Sequence, residues 1–455
     1  MVRDIFNFTI KILNCLITTC CLAFCYSTYS FGGEFIQNIE IPSSVNPVGS
    51  GARAMGMGGA FIAVADDATA ASWNPGGLIQ LETPEISAVG SLFFRSEDNS
   101  FGLNPEAAGS QDVNQSDLNY FSMAYPFTCL NRNMIVSLNY QKLYDFNRSW
   151  NFNFNTFSED LNISRQVDFE QTGDLYAWGL AYAIQVLPTL SLGITFNFWE
   201  DGITDNGWEK TTDEKGNNIL VMGTNILDFS STYYKRDKYS FSGFNINFGF
   251  LWNMTPKWTI GAVLKTPFSA DIKHDSYTHT TQTFPDYPAL DDDTTITLSN
   301  NQKLDMPMSW GIGVAYRYSD SFSLSMDFYR TQWKDFVLKD SQGNKINPIT
   351  GKDITASSLK STYQVRAGAE YLYIGKKYII PVRGGIFYDP APAEDEVDKF
   401  YGAAIGTGIV FNRFVFDVAY QYRFGHDVGK SFLKDLEFSQ DIHESTVYSS
   451  VIFYF

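Results

Sequence analysis

A transmembrane antiparallel β-barrel of about 14 strands, with an N-terminal hatch plugging its lumen, is the all-β fold class that the sequence predicts. Three observations carry it. Runs of roughly ten residues alternate apolar and polar with period two, as strands do when one face meets lipid and the other a lumen. After residue 30 no stretch approaches the roughly 18 consecutive apolar residues of a transmembrane helix, although 16% of the 455 residues are aromatic. A charge-poor segment, GARAMGMGGAFIAVADDATAASWNPGGL at 51–78, precedes the first alternating run.

The chain begins with the order of a secretory signal peptide. Residues 1–30 carry Arg3 and Lys11, the apolar run Ile12 to Tyr26, then small or polar residues. That run is too short to span a bilayer as a helix. Cleavage after Cys25 and cleavage after Ser30 both fit. Four of the five cysteines, Cys15, Cys20, Cys21 and Cys25, leave with this segment, so Cys129 remains without a disulfide partner. Zinc sites built on several cysteines are excluded as well. Without residues 1–30 the 33 basic and 50 acidic residues become 31 and 49, a net charge of −18. Nucleic acid, whose phosphates that charge repels, is not an expected partner.

Residues 31–84 form the expected hatch. Within 51–78 only Arg53, Asp66 and Asp67 are charged. Gly51, Gly56, Gly58 and Gly59 suit a crowded, irregular course, because glycine tolerates positive φ and close backbone approach. Asp67 is expected to cap one helical turn over Ala68 to Ser72, which Asn74-Pro75-Gly76 ends. Phe61, Asn74 and Pro75 complete the residues assigned to the hatch.

The barrel is expected over 85–455. Candidate strands lie near 85–95, 117–127, 133–145, 174–186, 189–200, 240–253, 258–268, 308–318, 321–331, 361–373, 378–388, 400–411, 413–424 and 444–455. In SLGITFNFWED, Leu192, Ile194, Phe196 and Phe198 share one face, and Gly193, Thr195, Asn197 and Trp199 the other. FNINFGFLWN and FVFDVAYQYRF repeat the pattern. Short and long connections alternate, as periplasmic turns and outer loops do, and an even strand count returns both barrel ends to the periplasmic side. A secreted sandwich or propeller would alternate too, but needs no aromatic clustering at strand ends. Here Trp178, Trp199, Trp252, Trp258 and Trp310, with Tyr316, Tyr318, Tyr371 and Tyr422, are read as interfacial girdles. STVYSSVIFYF, ending on Phe455, is similar to the terminal signal by which outer-membrane proteins are assembled.

The 51–78 segment resembles the hatch of the FadL-type family of outer-membrane transporters for long-chain fatty acids and other hydrophobic compounds. In that family an Asn-Pro-Ala motif follows Ala-Asp-Asp, and this chain has Asn74-Pro75-Gly76. MPMSWGIGVAYRYSDSFSLSMDFYRTQWKDF (306–336) and STYQVRAGAEYLYIGKKYIIPVRGGIFYDPAP (361–392) are also similar to it. The resemblance implies a route: a hydrophobic molecule lands on an outer groove, passes to a lumenal site, and leaves sideways into the membrane when the hatch shifts. PorV-type barrels of protein secretion, which have a similar hatch and bind protein partners, are the alternative. The FadL-like stretches argue against it.

Candidate binding residues follow from alternation and composition. The segments 201–239 and 269–307 are read as the longest outer loops, and their apolar residues, among them Trp208, Phe284 and Tyr287, suit a greasy landing site or ordinary loop packing. A fatty-acid carboxylate would need a cation in an apolar cavity. Alternation turns Gln364, Arg366 and Glu370 inward, and likewise Arg383, Arg317 and Arg423. Arg366 has an alternative use, pairing with Glu370 or with the hatch.

Enzymatic motifs fail. GHDVGKS (425–431) has three residues between its glycines where a phosphate loop has four, and no helix pattern follows. His274 and His279, five apart, are not a helical metal pair. No G-x-S-x-G occurs, and Cys129 has no histidine nearby in sequence. LDDDTT (290–295) reads as a divalent-cation loop that bridges lipopolysaccharide or as a solvated acidic loop. The expectation is a monomer in the bacterial outer membrane without cofactor or metal. Its partners are a hydrophobic ligand, membrane lipid and lipopolysaccharide.

Overall fold

The structure is a computed structural model and describes residues 39, 41–42, 45–158, 161–202, 205–222 and 225–455. The expected signal peptide lies outside them. Twenty strands are described: β1 (Glu85–Phe101), β2 (Gly109–Cys129), β3 (Arg132–Asp145), β4 (Arg148–Phe157), β5 (Leu161–Leu187), β6 (Leu190–Trp199), β7 (Gly207–Met222), β8 (Asn225–Asn253), β9 (Trp258–Lys265), β10 (Phe268–Thr283), β11 (Asp292–Met306), β12 (Ser309–Ser319), β13 (Phe322–Thr331), β14 (Val337–Lys339), β15 (Lys345–Ile346), β16 (Thr362–Ile374), β17 (Tyr378–Tyr388), β18 (Phe400–Phe411), β19 (Phe414–Val428) and β20 (Phe438–Tyr454).

Fourteen of them close an antiparallel barrel. Its order is β1, β2, β3, β5, β6, β8, β9, β12, β13, β16, β17, β18, β19 and β20. The ring shuts where β20 returns to β1, with Glu85 opposite Tyr454 and Phe101 opposite Phe438. Closure leaves no sheet edge in lipid, the condition for strands to cross a bilayer. On β19 the alternation is direct. Val415, Asp417, Ala419 and Arg423 are buried inside, while Phe414, Phe416, Val418, Tyr420 and Phe424 are exposed on the lipid face. Tyr125, Trp252, Trp258, Tyr318, Tyr371 and Tyr378 stay exposed close to the short turns, as an aromatic belt does. Trp199 does not join that belt. It is 3% exposed on the inner face, and its Nε1 donates to Asn245 Oδ1 at 2.9 Å.

The segments expected as the longest outer loops are largely strand. β7 returns along β8 from Gly207–Ser240 to Met222–Asn225 and lies on β5 as well. β10 pairs with both β8 and β11. At 29 residues, β8 runs on the order of 95 Å, about three times the hydrocarbon thickness, so even a tilted course carries it far beyond the bilayer. Trp208 and Phe284 are accordingly buried in this outer wall. Trp208 stacks between Phe146 and Tyr239, each at 4.7 Å, and Phe284 stacks on Phe229 at 4.8 Å. Tyr287 stays exposed.

The N-terminal segment folds into α1 (Ala52–Gly56), α2 (Ala70–Trp73) and a 3-10 turn at Pro75–Gln80. α2 is shorter than the expected turn. Asp67 accepts from Thr69 N and Oγ1 at 2.8 and 2.6 Å and does not cap the helix itself. α1 touches β17 to β20, and the 3-10 turn touches β3, β5, β6, β8 and β9. These are opposite arcs of the ring, so the segment crosses the barrel interior.

Candidate functional site

The barrel's inner face is shaped to receive that segment. The Cβ of any side chain at Gly193 would meet the Pro75 carbonyl carbon at 2.2 Å, so β6 must be bare there for the 3-10 turn to dock. Gly58 and Gly59 sit at φ +67 and +74, a region that side chains disfavour. The hatch backbone is then satisfied by the wall. Asp327 Oδ2 on β13 accepts from Phe61 N at 2.7 Å and Ile62 N at 2.8 Å. Ser325 Oγ donates to Ala60 O at 2.7 Å, and Ser191 Oγ to Gly76 O at 2.8 Å. Asn74, fully buried, donates to Ile62 O and Phe250 O at 2.9 Å and accepts from Gly76 N at 3.0 Å. Buried backbone groups need such partners, and these fix the segment's course.

Arg53 ties α1 to both the hatch and the wall. It bonds Asp66 at 2.6 Å and Glu370 at 2.9 and 3.0 Å. Burial pushes the Asp66 carboxyl above its ordinary range, against the pull of Arg53. Gly51 starts α1 at φ +114, Phe61 packs edge-on to Trp73 at 5.7 Å, and Gly56 approaches Gly406 of β18.

Three cavities lie around residues 39–49. The outer one, of about 700 Å³ with its mouth, has Ile41, Trp333, Phe400, Phe432, Gln440 and Ile442 in its lining. The middle one, of about 950 Å³, runs from Asn46 and Met55 to Asp117, Gln141 and Arg366. The third, of about 640 Å³, includes Tyr144, Trp199, Lys265 and Gln364.

The residues expected to hold a ligand are thus dispersed. Arg366 and Gln364 do face inward and line the middle and third cavities. Arg366 donates to Gly58 O at 3.0 Å and Gln364 Oε1 at 3.2 Å and pairs with Asp389 at 3.5 Å. Arg383 is buried between Glu370 and Asp417, both at 2.6 Å. Arg317 keeps the β12 register on the face of Gly311 and Gly313, which meet the N-terminal segment, but it lies at the rim beside a short turn, exposed and 3.4 Å from Asp320, away from the three cavities. Trp208, Phe284 and Tyr287 belong to the outer wall and line none of these three cavities.

Alternation also hid an inner cluster. Arg95, Glu97 and Asn99 of β1 and Gln440, Ile442 and Glu444 of β20 are all buried inside. Arg95 ends the first expected strand, and carrying its period past residue 95 would have found Glu97 and Asn99. Lys142 is a further residue that sequence reasoning passed over. Its Nζ meets Asp117 at 2.7 Å, Asp145 at 2.9 Å and Asp174 at 2.5 Å.

Those contacts bridge a break in the wall. β2 and β3 pair only from Tyr120–Gln141 down to Cys129–Arg132. Beyond Tyr120, β2 is laddered to β1, after a bulge at Asn119 where the register shifts between Val89 and Gly90, and on its other side it meets β4, where Gln111 Nε2 donates to Asn151 O at 3.0 Å. Past Gln141, β3 continues against β5. Among the described residues no ladder joins β2 and β3 above that level. The middle cavity reaches this break at Asp117, Asn119, Gln141 and Lys142. Ser50 of the hatch donates to Asn119 Oδ1 at 2.6 Å, so hatch and break are in contact.

Residues 44–446 match the family described as outer membrane protein transport protein (OMPP1/FadL/TodX). Solved structures of the same fold include a Pseudomonas aeruginosa FadL homologue, with a TM-score of 0.61 at 14% identity over 90% of this chain and 98% of that one. The Pseudomonas putida toluene transporter TodX gives 0.55 at 12% identity over 90% of this chain and 100% of that one. No curated protein matches the chain in sequence.

Proposed function

This chain belongs to the OMPP1/FadL/TodX family of outer-membrane transport proteins, and from that premise we propose that it admits hydrophobic small molecules through the cavities above its hatch and releases them sideways between β2 and β3. It is a transporter fold of the bacterial outer membrane, not an enzyme. One observation carries the sideways exit: the ladder between β2 and β3 stops at Tyr120–Gln141, where the middle cavity meets the wall. A molecule leaving there crosses side chains alone. Below that level it would have to break the β2–β3 ladder itself, whose backbone groups have no substitute partners in lipid.

The hatch seals the straight path to the periplasm and touches the exit through Ser50 and Asn119. A ligand that prefers the cavity with the hatch shifted moves the equilibrium toward the open exit by its differential affinity. Arg366 and Gln364 then serve the junction of hatch and cavity. A carboxylate ligand at Arg366 or Arg383 would have to compete with Asp389, Glu370 or Asp417, so a fatty acid and a hydrocarbon meet different barriers in the same lumen.

Deleting 51–78 tests the hatch. Barrel assembly depends on the strands, so the variant inserts, conductance in planar bilayers rises, and ligand-specific uptake falls. Unchanged conductance together with unchanged uptake overturns this role.

A further inference from the structure

The outer cavity carries more chemistry than a greasy landing site needs. Three guanidiniums, from Arg95, Arg148 and Arg423, stand in its lining. Each has a carboxylate partner: Arg95 with Glu97 at 2.5 Å, Arg148 with Glu97 at 3.1 Å, and Arg423 with Glu444 at 2.8 Å and Asp389 at 3.5 Å. Arg366 shares Asp389, so three carboxylates pair these four guanidiniums, and a fourth, Asp398, stands in the lining and accepts from Gly429 N at 2.9 Å. Two guanidinium faces are covered as well, Arg148 lying 4.2 Å from the Trp150 ring centre and Arg423 3.7 Å from that of Phe400. A ligand carboxylate would enter a neutralised network and leave one of its anions without a cation.

Gln440 is different. It is 2% exposed, lines the cavity, and among the described residues neither its Nε2 nor its Oε1 has a hydrogen-bond partner. A Cβ at Gly429, which sits at φ +77, would meet its Cγ at 3.0 Å, so only glycine leaves room for this side chain. Asn99, its cross-strand neighbour on β1, is equally buried with both amide atoms likewise unpartnered among the described residues. A buried carboxamide is expensive to leave unmatched. What it matches best is one neutral group that both donates and accepts, a hydroxyl, whose oxygen accepts from Nε2 while its proton goes to Oε1. The rest of the lining, Ile41, Trp333, Phe400, Phe432 and Ile442 among it, asks for a hydrocarbon body.

We propose that the outer cavity selects neutral hydrophobic alcohols, with Gln440 hydrogen-bonded to the hydroxyl and Asn99 beside it, over carboxylates and over plain hydrocarbons of the same length. The assignment rests on the transport reading above and names the substrate class of its outer site. A site built to hydrogen-bond a hydroxyl discriminates strongly against analogues that lack it, because its own polar atoms are otherwise stranded.

The test is competition against tritiated 1-decanol on purified wild-type protein in detergent, with unlabelled 1-decanol, decanoate at pH 8 and decane as competitors. The expected order places decanol at least about tenfold ahead of both others, a factor worth one good hydrogen bond. Gln440→Leu should weaken decanol binding about tenfold and leave decane unchanged. Decanoate competing as well as decanol, equal losses for all three in the variant, or no decanol binding at all overturns the assignment, and the wild-type order decides even if the variant fails to fold. Uptake of the three compounds into cells that produce the protein separates this from the transport reading. Equal uptake of all three leaves transport standing and removes the alcohol preference, whereas uptake of none removes the transport reading as well.

Discussion

Replacing Asp327 by Ala removes the acceptor that holds the middle of the hatch. The carboxylate is fully buried on β13 and takes the amides of Phe61 and Ile62 through one oxygen, at 2.7 and 2.8 Å. Alanine leaves two buried N–H donors unmatched, at about 1.5 kcal/mol each in net terms. The sum of about 3 kcal/mol corresponds to roughly 150-fold in the equilibrium between docked and undocked hatch. The β12–β13 and β13–β16 ladders are backbone pairings that the substitution does not touch, so the barrel stays closed. Hydrogen–deuterium exchange of the Phe61 and Ile62 amides reads the change directly. Exchange should accelerate by about two orders of magnitude, while amides of β16 and β17 keep their protection. Asp327→Asn, which retains an acceptor oxygen, should lie between. Unchanged exchange at Phe61 and Ile62 in the alanine variant would refute the reasoning, because those amides would then owe their protection to something other than the wall.

Further outcomes follow from the same contacts. Gly193→Val, with a Cβ 2.2 Å from the Pro75 carbonyl carbon, should dislodge the 3-10 turn at a cost of about 1 to 3 kcal/mol and raise bilayer conductance. Gly384→Ala, whose nearest neighbour would be Ala404 O at 3.9 Å, should change neither conductance nor assembly. Arg53→Met strips the half-exposed Asp66 and the buried Glu370 of a half-buried partner and leaves Glu370 only Arg383. A loss of about 1 to 2 kcal/mol, between the values for exposed and buried pairs, should lower the temperature at which the folded barrel shifts to its unfolded mobility on a gel. Lys142→Met leaves Asp117, Asp145 and Asp174 facing one another at the wall break, so maleimide labelling of Asn119→Cys in a Cys129→Ser background should speed up several-fold. Equal labelling rates with and without Lys142 would show that it does not hold the lip.

The barrel was legible because lipid imposes a strict rule on one face of each strand. All fourteen expected strands overlap observed ones, and β17 and β18 coincide with their expected bounds, 378–388 and 400–411. Outside the bilayer that rule lapses. FSADIKHDSYTHTTQT of β10 meets water and polar neighbours, shows no apolar period, and so read as loop. Arg317 keeps the inward phase of β12 but stands at its end, exposed beside Asp320, because alternation gives the face of a residue and not its depth along the strand. The charge-poor segment at 51–78 stood out by composition, but the wall residues that bond it did not. Asp327 and Ser325 look like ordinary polar positions of a strand until Phe61, Ile62 and Ala60 stand opposite them. Gln440 was hidden because its strand begins six residues before the expected start at 444.

The sideways exit is the claim on which the account rests, and a removable staple tests it. In a Cys129→Ser background, Asp117→Cys and Lys142→Cys place thiols on the two lips, whose native side chains meet at 2.7 Å. A short bismaleimide with a reducible centre then joins β2 to β3. Uptake of the hydrophobic compound that wild-type cells accumulate best should fall to the level of cells lacking the protein once the staple is closed, and should return when reductant opens it. Full uptake with the staple closed, verified by mass spectrometry of the same cells, would contradict release between β2 and β3.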